Sequence, residues 1–181
     1  QVVEDCRWKG VVNWDPKEAD SLYRSISNAA INILTPSVVD SIRSDGDCQS
    51  QLAHLVIQSL DSISGSKRNR RNRASQLLVE YPEGTTTEQA IRGIEAVGLT
   101  QPTLYRISNG DFCLSLSGRE VRLSPHFLPA IHIAVCYYWY FNLKYTPLIS
   151  DAYHTFEKLF GANRGSSPNA DVLCDLIRNC S

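Results

Sequence analysis

Thr103-Leu104-Tyr105-Arg106-Ile107-Ser108-Asn109-Gly110-Asp111-Phe112-Cys113-Leu114-Ser115-Leu116-Ser117-Gly118-Arg119-Glu120-Val121-Arg122-Leu123 is the stretch whose reading decides the fold. Thr103 to Ser108 alternates, and Asn109-Gly110 is a strong tight-turn signal. Phe112 to Ser117 alternates again, and Ser117-Gly118 turns the chain into Glu120-Val121-Arg122-Leu123. The pattern predicts a small antiparallel β-meander over about 103–123.

Upstream of it the chain reads as helices. Residues 1–14, with Cys6, Trp8 and Trp14, read as an irregular or short-strand segment whose tryptophans pack on the core. Asp15-Pro16-Lys17-Glu18 is a helix start, with a capping acid and proline at the first helical position. Leu22, Ile26, Ala29, Ala30 and Ile33 then recur at helical spacing to about Leu34. Thr35-Pro36 opens a short helix that Asp45-Gly46 ends. Asp47 caps a third helix, whose apolar set is Leu52, Leu55, Val56, Leu60 and Ile63. Thr85-Thr86-Thr87-Glu88 opens another, closed by Gly98.

Downstream, Ile131 to Tyr145 alternates with period two and is dense in β-branched and aromatic residues. That favours a long aromatic strand over 131–145. A buried helix from about Phe127 to Asn142 is the alternative, since hydrophobes occur on every side. In a strand, Tyr138 and Tyr140 face opposite to Trp139 and form a candidate recognition surface. The competing expectation is burial on both faces. Thr146-Pro147 and Ser167-Pro168 start two C-terminal helices. The expected class is α+β.

The chain has 181 residues, 43% of them hydrophobic, enough for one sizeable core or two small ones. Lys and Arg number 18 against 19 Asp and Glu, a net charge of −1. The run Lys67-Arg68-Asn69-Arg70-Arg71-Asn72-Arg73 holds five of the cations and leaves the rest of the chain at 13 against 19, net −6. A nucleic-acid binder spreads its cations over a face, so the isolated run argues against a nucleic-acid partner.

Within the run, Arg68, Arg70 and Arg71 supply the Arg-x-Arg-Arg form cut by furin- and kexin-like proteases, whose acidic pockets need basic side chains at fixed offsets. Ser64-Gly65-Ser66 gives it a flexible approach. The competing readings are a localisation or nucleic-acid patch and the wet face of a helix running to about residue 80. The expected organisation is an N-terminal helical segment (1–66), the basic run (67–73) and a C-terminal α+β segment (74–181), all in one folded unit.

The six cysteines are Cys6, Cys48, Cys113, Cys136, Cys174 and Cys180. None forms a Cys-x-x-Cys pair, so a zinc ribbon is not expected. An even count at long spacing suits disulfides in an oxidising compartment, with buried thiols as the alternative. A cut after Arg71 leaves Cys6 and Cys48 in one fragment and the other four in the second. The chain contains no Met and begins at Gln1, which fits removal of a leader. The four histidines lack metal-ligand spacing, and Gly46, Gly65 and Gly84 are isolated, so no metal or cofactor is expected. No window of about 18 apolar residues suits a membrane span.

Asp45-Gly46-Asp47-Cys48 precedes a predicted helix, and a Cys at a helix N-terminus gains nucleophilicity from the macrodipole. The string is similar to the Asp-Gly-Asn/Asp-Cys loop of ovarian-tumour family cysteine proteases. That resemblance implies a hydrolase with Cys48 as nucleophile and His154 or His132 as base. Gln49 and Ser50 depart from the apolar or aromatic residues that follow the Cys in that family. The plainer reading makes Cys48 half of a disulfide and Asp45-Gly46 a turn.

The expectation is therefore a secreted, disulfide-stabilised binding protein made as a precursor, more toxin-, effector- or ligand-like than enzymatic. Its partners are a processing protease and a protein or cell-surface receptor. It resembles two-chain killer toxins and small fungal effectors in processing logic. A cysteine hydrolase and a nucleic-acid module are the alternatives.

Overall fold

A computed structural model describes residues 1–8, 13–65, 76–99, 101–162, 165 and 167–180. Four strands, β1 (Val79–Tyr81), β2 (Thr103–Ile107), β3 (Phe112–Leu116) and β4 (Arg119–Ser124), form one sheet in sequence order. The described helices are α1 (Val2–Trp8), α2 (Ala19–Ile33), α3 (Pro36–Ser44), α4 (Cys48–Ser64), α5 (Thr87–Ala96), α6 (Phe127–Tyr140), α7 (Ser150–Leu159) and α8 (Pro168–Asn179), with a 3₁₀ turn at Pro16–Glu18. The class is α+β.

The meander forms as its sequence predicts. β2 pairs antiparallel with β3, and β3 with β4. Ser117 and Gly118 both take positive φ, 50° and 74°, the mirror-image turn whose twist matches its flanking strands. β1 adds to β2 in parallel, with Glu80 opposite Arg106. A sequence reading that extends a helix to residue 80 is corrected here, because Val79–Tyr81 is a strand.

The helix starts follow local chemistry. Asp47 accepts from the Gln49 and Ser50 amides at 3.1 and 3.0 Å, which fixes the first turn of α4. Gly65, at φ 62°, closes that helix in the left-handed conformation. Thr86 and Gln89 cap α5 reciprocally. Residues 2–8, read from sequence as irregular or extended, are helical.

The aromatic stretch is the main correction. Residues 127–140 form a helix rather than a strand. α6 runs through the core and buries Leu128, Ile131, Ala134, Val135 and Tyr138. With apolar residues on every side, a helical stripe is invisible in the sequence. A helix closes its own backbone hydrogen bonds, whereas a strand of that length needs partners along both edges. The strands here are three to six residues long.

The two faces of the sheet meet different layers. Leu104, Phe112 and Leu114 join the main core with α4, α6 and α7. Tyr105 and Cys113 face α5 and pack with Ala90 and Ile94 in a second, smaller cluster. Trp14 packs on Phe160 and His132, with ring centroids 4.8 and 5.1 Å apart.

The expected disulfide stabilisation is not seen, since no disulfide joins any of the six cysteines, all of which are described. Most of them lie in separate places. Cys48 is exposed at the start of α4. Cys113 lies under α5. Cys174 packs its sulfur 3.4 Å from the Thr155 carbonyl, and Cys180 lies 3.5 Å from Asn32 Nδ2. Cys6 and Cys136 do come together, where α1 lies on α6. Among the described residues no helix is long and apolar enough to cross a membrane.

Candidate functional site

The best-built polar site lies where the N-terminus of α4 meets β1 and β2. β-strand alternation puts Leu104 and Arg106 on the same face of β2, so Arg106 is driven into the main core side. Its side chain is 4% exposed. The guanidinium reaches both carboxylate oxygens of Asp47, at 2.8 and 2.7 Å. It also donates to the Gly110 carbonyl at 2.8 Å and to Ser50 Oγ at 3.2 Å. The Phe112 ring lies 4.6 Å from its Cζ, a cation–π contact.

Asp47 thus caps α4 and neutralises a buried cation. Burial pushes its carboxyl upward, but the Ser50 amide, Arg106 and the Gln49 amide outweigh burial and hold it below the usual carboxylate range. Ser50 Oγ passes the network on to the Glu80 carboxylate. His54 is the largest influence holding Glu80 below its usual range; partial burial opposes it and Ser50 adds to it. His54 Nε2 lies 3.8 Å from Glu80 Oε2.

Cys48 occupies the first position of α4, beside this network, and its side chain faces solvent. Tyr23 Oη donates to the Cys48 carbonyl at 3.3 Å. Burial and then the Cys48 sulfur push the Tyr23 phenol above its usual value. Gln49 Nε2 lies 4.0 Å from the Cys48 sulfur, while Gln49 Oε1 accepts from the Phe127 amide at 2.9 Å. Gln49 therefore ties the start of α4 to the start of α6. A cavity of about 300 Å³ opens at this junction, with Pro16, Leu128 and Pro129 as apolar walls and Lys17, Tyr23, Gln49 and His126 as polar ones.

The two histidines assigned to Cys48 from sequence are held by other groups. His132 lies in the core against Trp14 and Phe160. His154 places Nδ1 3.0 Å from Glu157 Oε2. Glu157 is fully buried and also accepts from Trp139 Nε1 at 3.0 Å and from the Tyr145 hydroxyl. Three donors on one buried carboxylate make this a tie between α7 and the end of α6. His126 is the histidine that lines the cavity beside Gln49.

The aromatic block divides by depth. Tyr138 is fully buried and donates to the Pro102 carbonyl at 2.8 Å, so it lies away from any surface. Tyr140 and Phe141 are each 48% exposed. Phe141 stacks on Tyr137 and meets Tyr140 edge to face, with centroids 6.1 and 5.2 Å apart. Arg68, Arg70 and Arg71 lie outside the described residues. Among the described residues no group of three or more His, Cys, Asp or Glu side chains is arranged to hold a metal.

Sequence reasoning missed Arg106, Ser50 and Glu80. Arg106 carried a usable signal: a cation on the core-facing side of an alternating strand requires a buried counter-charge. Glu80 carried none, because three residues are too few to show alternation. No protein-family model, curated protein or solved structure matches this chain.

Proposed function

We propose that this is a secreted binding protein made as a single chain and cut after Arg71, whose two fragments stay together and act as one body. The observation that carries the reading is the interlock between the parts on either side of the basic run. Asp47 pairs with Arg106, Ser50 with Glu80, and Gln49 with the Phe127 amide. Leu52, Val56 and Leu60 share one core with Leu104, Phe127 and Phe156. These contacts join described residues before the run to described residues after it.

Recognition falls to the Tyr137, Tyr140 and Phe141 cluster. Rigid aromatics expose contact area at little entropic cost. The partner on this reading is a protein, such as a cell-surface receptor.

Treating the purified chain with a furin-type protease tests the processing step. The expected products are fragments of 71 and 110 residues under reducing denaturing conditions. They should co-elute natively and keep the uncut far-UV spectrum. Arg71→Ala should block the cut. A chain that resists the protease, or fragments that separate natively, refutes the reading. For recognition, Tyr140→Ala with Phe141→Ala should abolish cell-surface binding while the unfolding midpoint holds.

The cysteine-hydrolase reading retains one favourable observation, the exposed Cys48 at the first position of α4. An electrophilic probe that labels Cys48 faster than a model thiol would favour it.

A further inference from the structure

We propose that Cys6 and Cys136 form a disulfide under oxidising conditions, stapling α1 to α6 and joining the two halves of the chain across the processing run. The observation is geometric. The Cys6 sulfur points at the backbone of α6, 3.5 Å from the Cys136 carbonyl oxygen. Both thiols are buried, at 4% and 0% exposure. The two residues are 130 apart in sequence, yet α1 lays one directly against the other, with Val2 and Val3 packed on the same core. The other four cysteines lie at the start of α4, under α5, against α7 and beside Asn32. None of those places is shared by two cysteines, so this pair is distinct.

The chemistry needs an electron acceptor, and a low-molecular-weight disulfide such as oxidised glutathione supplies it. α1 is a short helix of seven residues, and elements this short open locally. When it lifts, Cys6 is exposed while Cys136 stays inside α6. The Cys6 thiolate attacks the small disulfide, forming a mixed disulfide and releasing one thiol. Redocking of α1 presents that sulfur to Cys136. The Cys136 thiol loses its proton and attacks the Cys6 sulfur, and the second small thiol leaves. The protein loses two hydrogens, and one small disulfide becomes two small thiols. Cys6 is the entry point and Cys136 the resolving thiol.

The bond closes a loop that holds most of the chain, so it restricts the unfolded ensemble strongly. It also bears on the two-fragment reading, because Cys6 falls before Arg71 and Cys136 after it. The inference itself does not require the cut, so its test uses the uncut Arg71→Ala chain and fails independently of processing.

The reduced Arg71→Ala protein, with exposed Cys48 and half-buried Cys180 replaced by serine so that neither takes up glutathione, is incubated with oxidised glutathione, and intact mass and linked peptides are read under non-reducing conditions. The expected result is loss of two hydrogens, one crosslinked pair containing Cys6 and Cys136, and a melting temperature higher by roughly 10 °C. Adding Cys136→Ser should trap one glutathione on Cys6, whereas adding Cys6→Ser should leave Cys136 unmodified in the folded state. The proposal is overturned if both thiols remain titratable, if the bond joins another pair, or if the Cys6→Ser variant takes up glutathione at Cys136 as readily.

Discussion

Arg106→Ala tests the architecture of the site most sharply. The guanidinium is 4% exposed and lies between Asp47, Ser50 and the Gly110 carbonyl. Removing it leaves a carboxylate and a carbonyl without their strongest partner and strips a cation from the Phe112 ring. Breaking a buried ion pair by deleting one member destabilises by about 3–5 kcal/mol. Asp47 is 30% exposed, so water can reach the abandoned carboxylate. That places the loss near the lower end, about 3 kcal/mol, a large share of the roughly 5–15 kcal/mol that holds a domain together. Urea unfolding followed by tryptophan fluorescence reads it as a lower midpoint at unchanged m. Asp47→Asn keeps an oxygen to cap α4 but removes the charge, leaving Arg106 uncompensated. The double variant should therefore lose less than the sum of the singles, by about 1 kcal/mol or more. A loss below about 1 kcal/mol for Arg106→Ala, or strict additivity, would refute the claim that this pair ties α4 to the sheet.

Three further outcomes follow from the same contacts. Asp47 and Glu80 are held below their usual carboxylate values, so their stabilisation is present above the unfolded carboxylate range near pH 4 and is lost as pH falls through the lower folded values. Urea midpoints at descending pH should drop more steeply below about pH 4 for the native chain than for Arg106→Ala, and parallel curves would exclude Asp47 as the cause. Burial pushes the Cys113 and Cys174 thiols up to about 11. At mildly alkaline pH a maleimide should label exposed Cys48 first and reach those two only on unfolding, and equal rates would contradict the burial pattern. A methyl at Gly93 would stand 2.7 Å from the Tyr81 hydroxyl, which donates to the Ala90 carbonyl at 3.0 Å. Gly93→Ala should therefore gain nothing alone, yet stabilise by about 1 kcal/mol in a Tyr81→Phe background, where only helix propensity remains. A gain of that size in the native background would show that Tyr81 does not dictate the glycine.

Where local chemistry fixes structure, the sequence was readable. Asp47, Thr86 and Ser167 each cap the helix they were expected to start, and Asn109-Gly110 and Ser117-Gly118 turn the meander as alternation predicts. The aromatic stretch failed because period two and all-round hydrophobicity coincide there, and only its tertiary surroundings choose the helix. β1 failed because its identity rests on pairing with β2, a contact 26 residues away along the register Val79 to Tyr105. Of the candidate site, Cys48 and its cap were visible. Arg106 and Glu80, which complete it, arrive from two other elements. His132 and His154 were drawn to Cys48 by chain order alone, and the core contacts of Trp14 and Glu157 claim them instead.

Intact mass of the protein from its native source, measured after full reduction, addresses the central claim most directly. The account predicts two polypeptides, one ending at Arg71 and one beginning at Asn72, that co-purify before denaturation. A single mass for the uncut chain would contradict it.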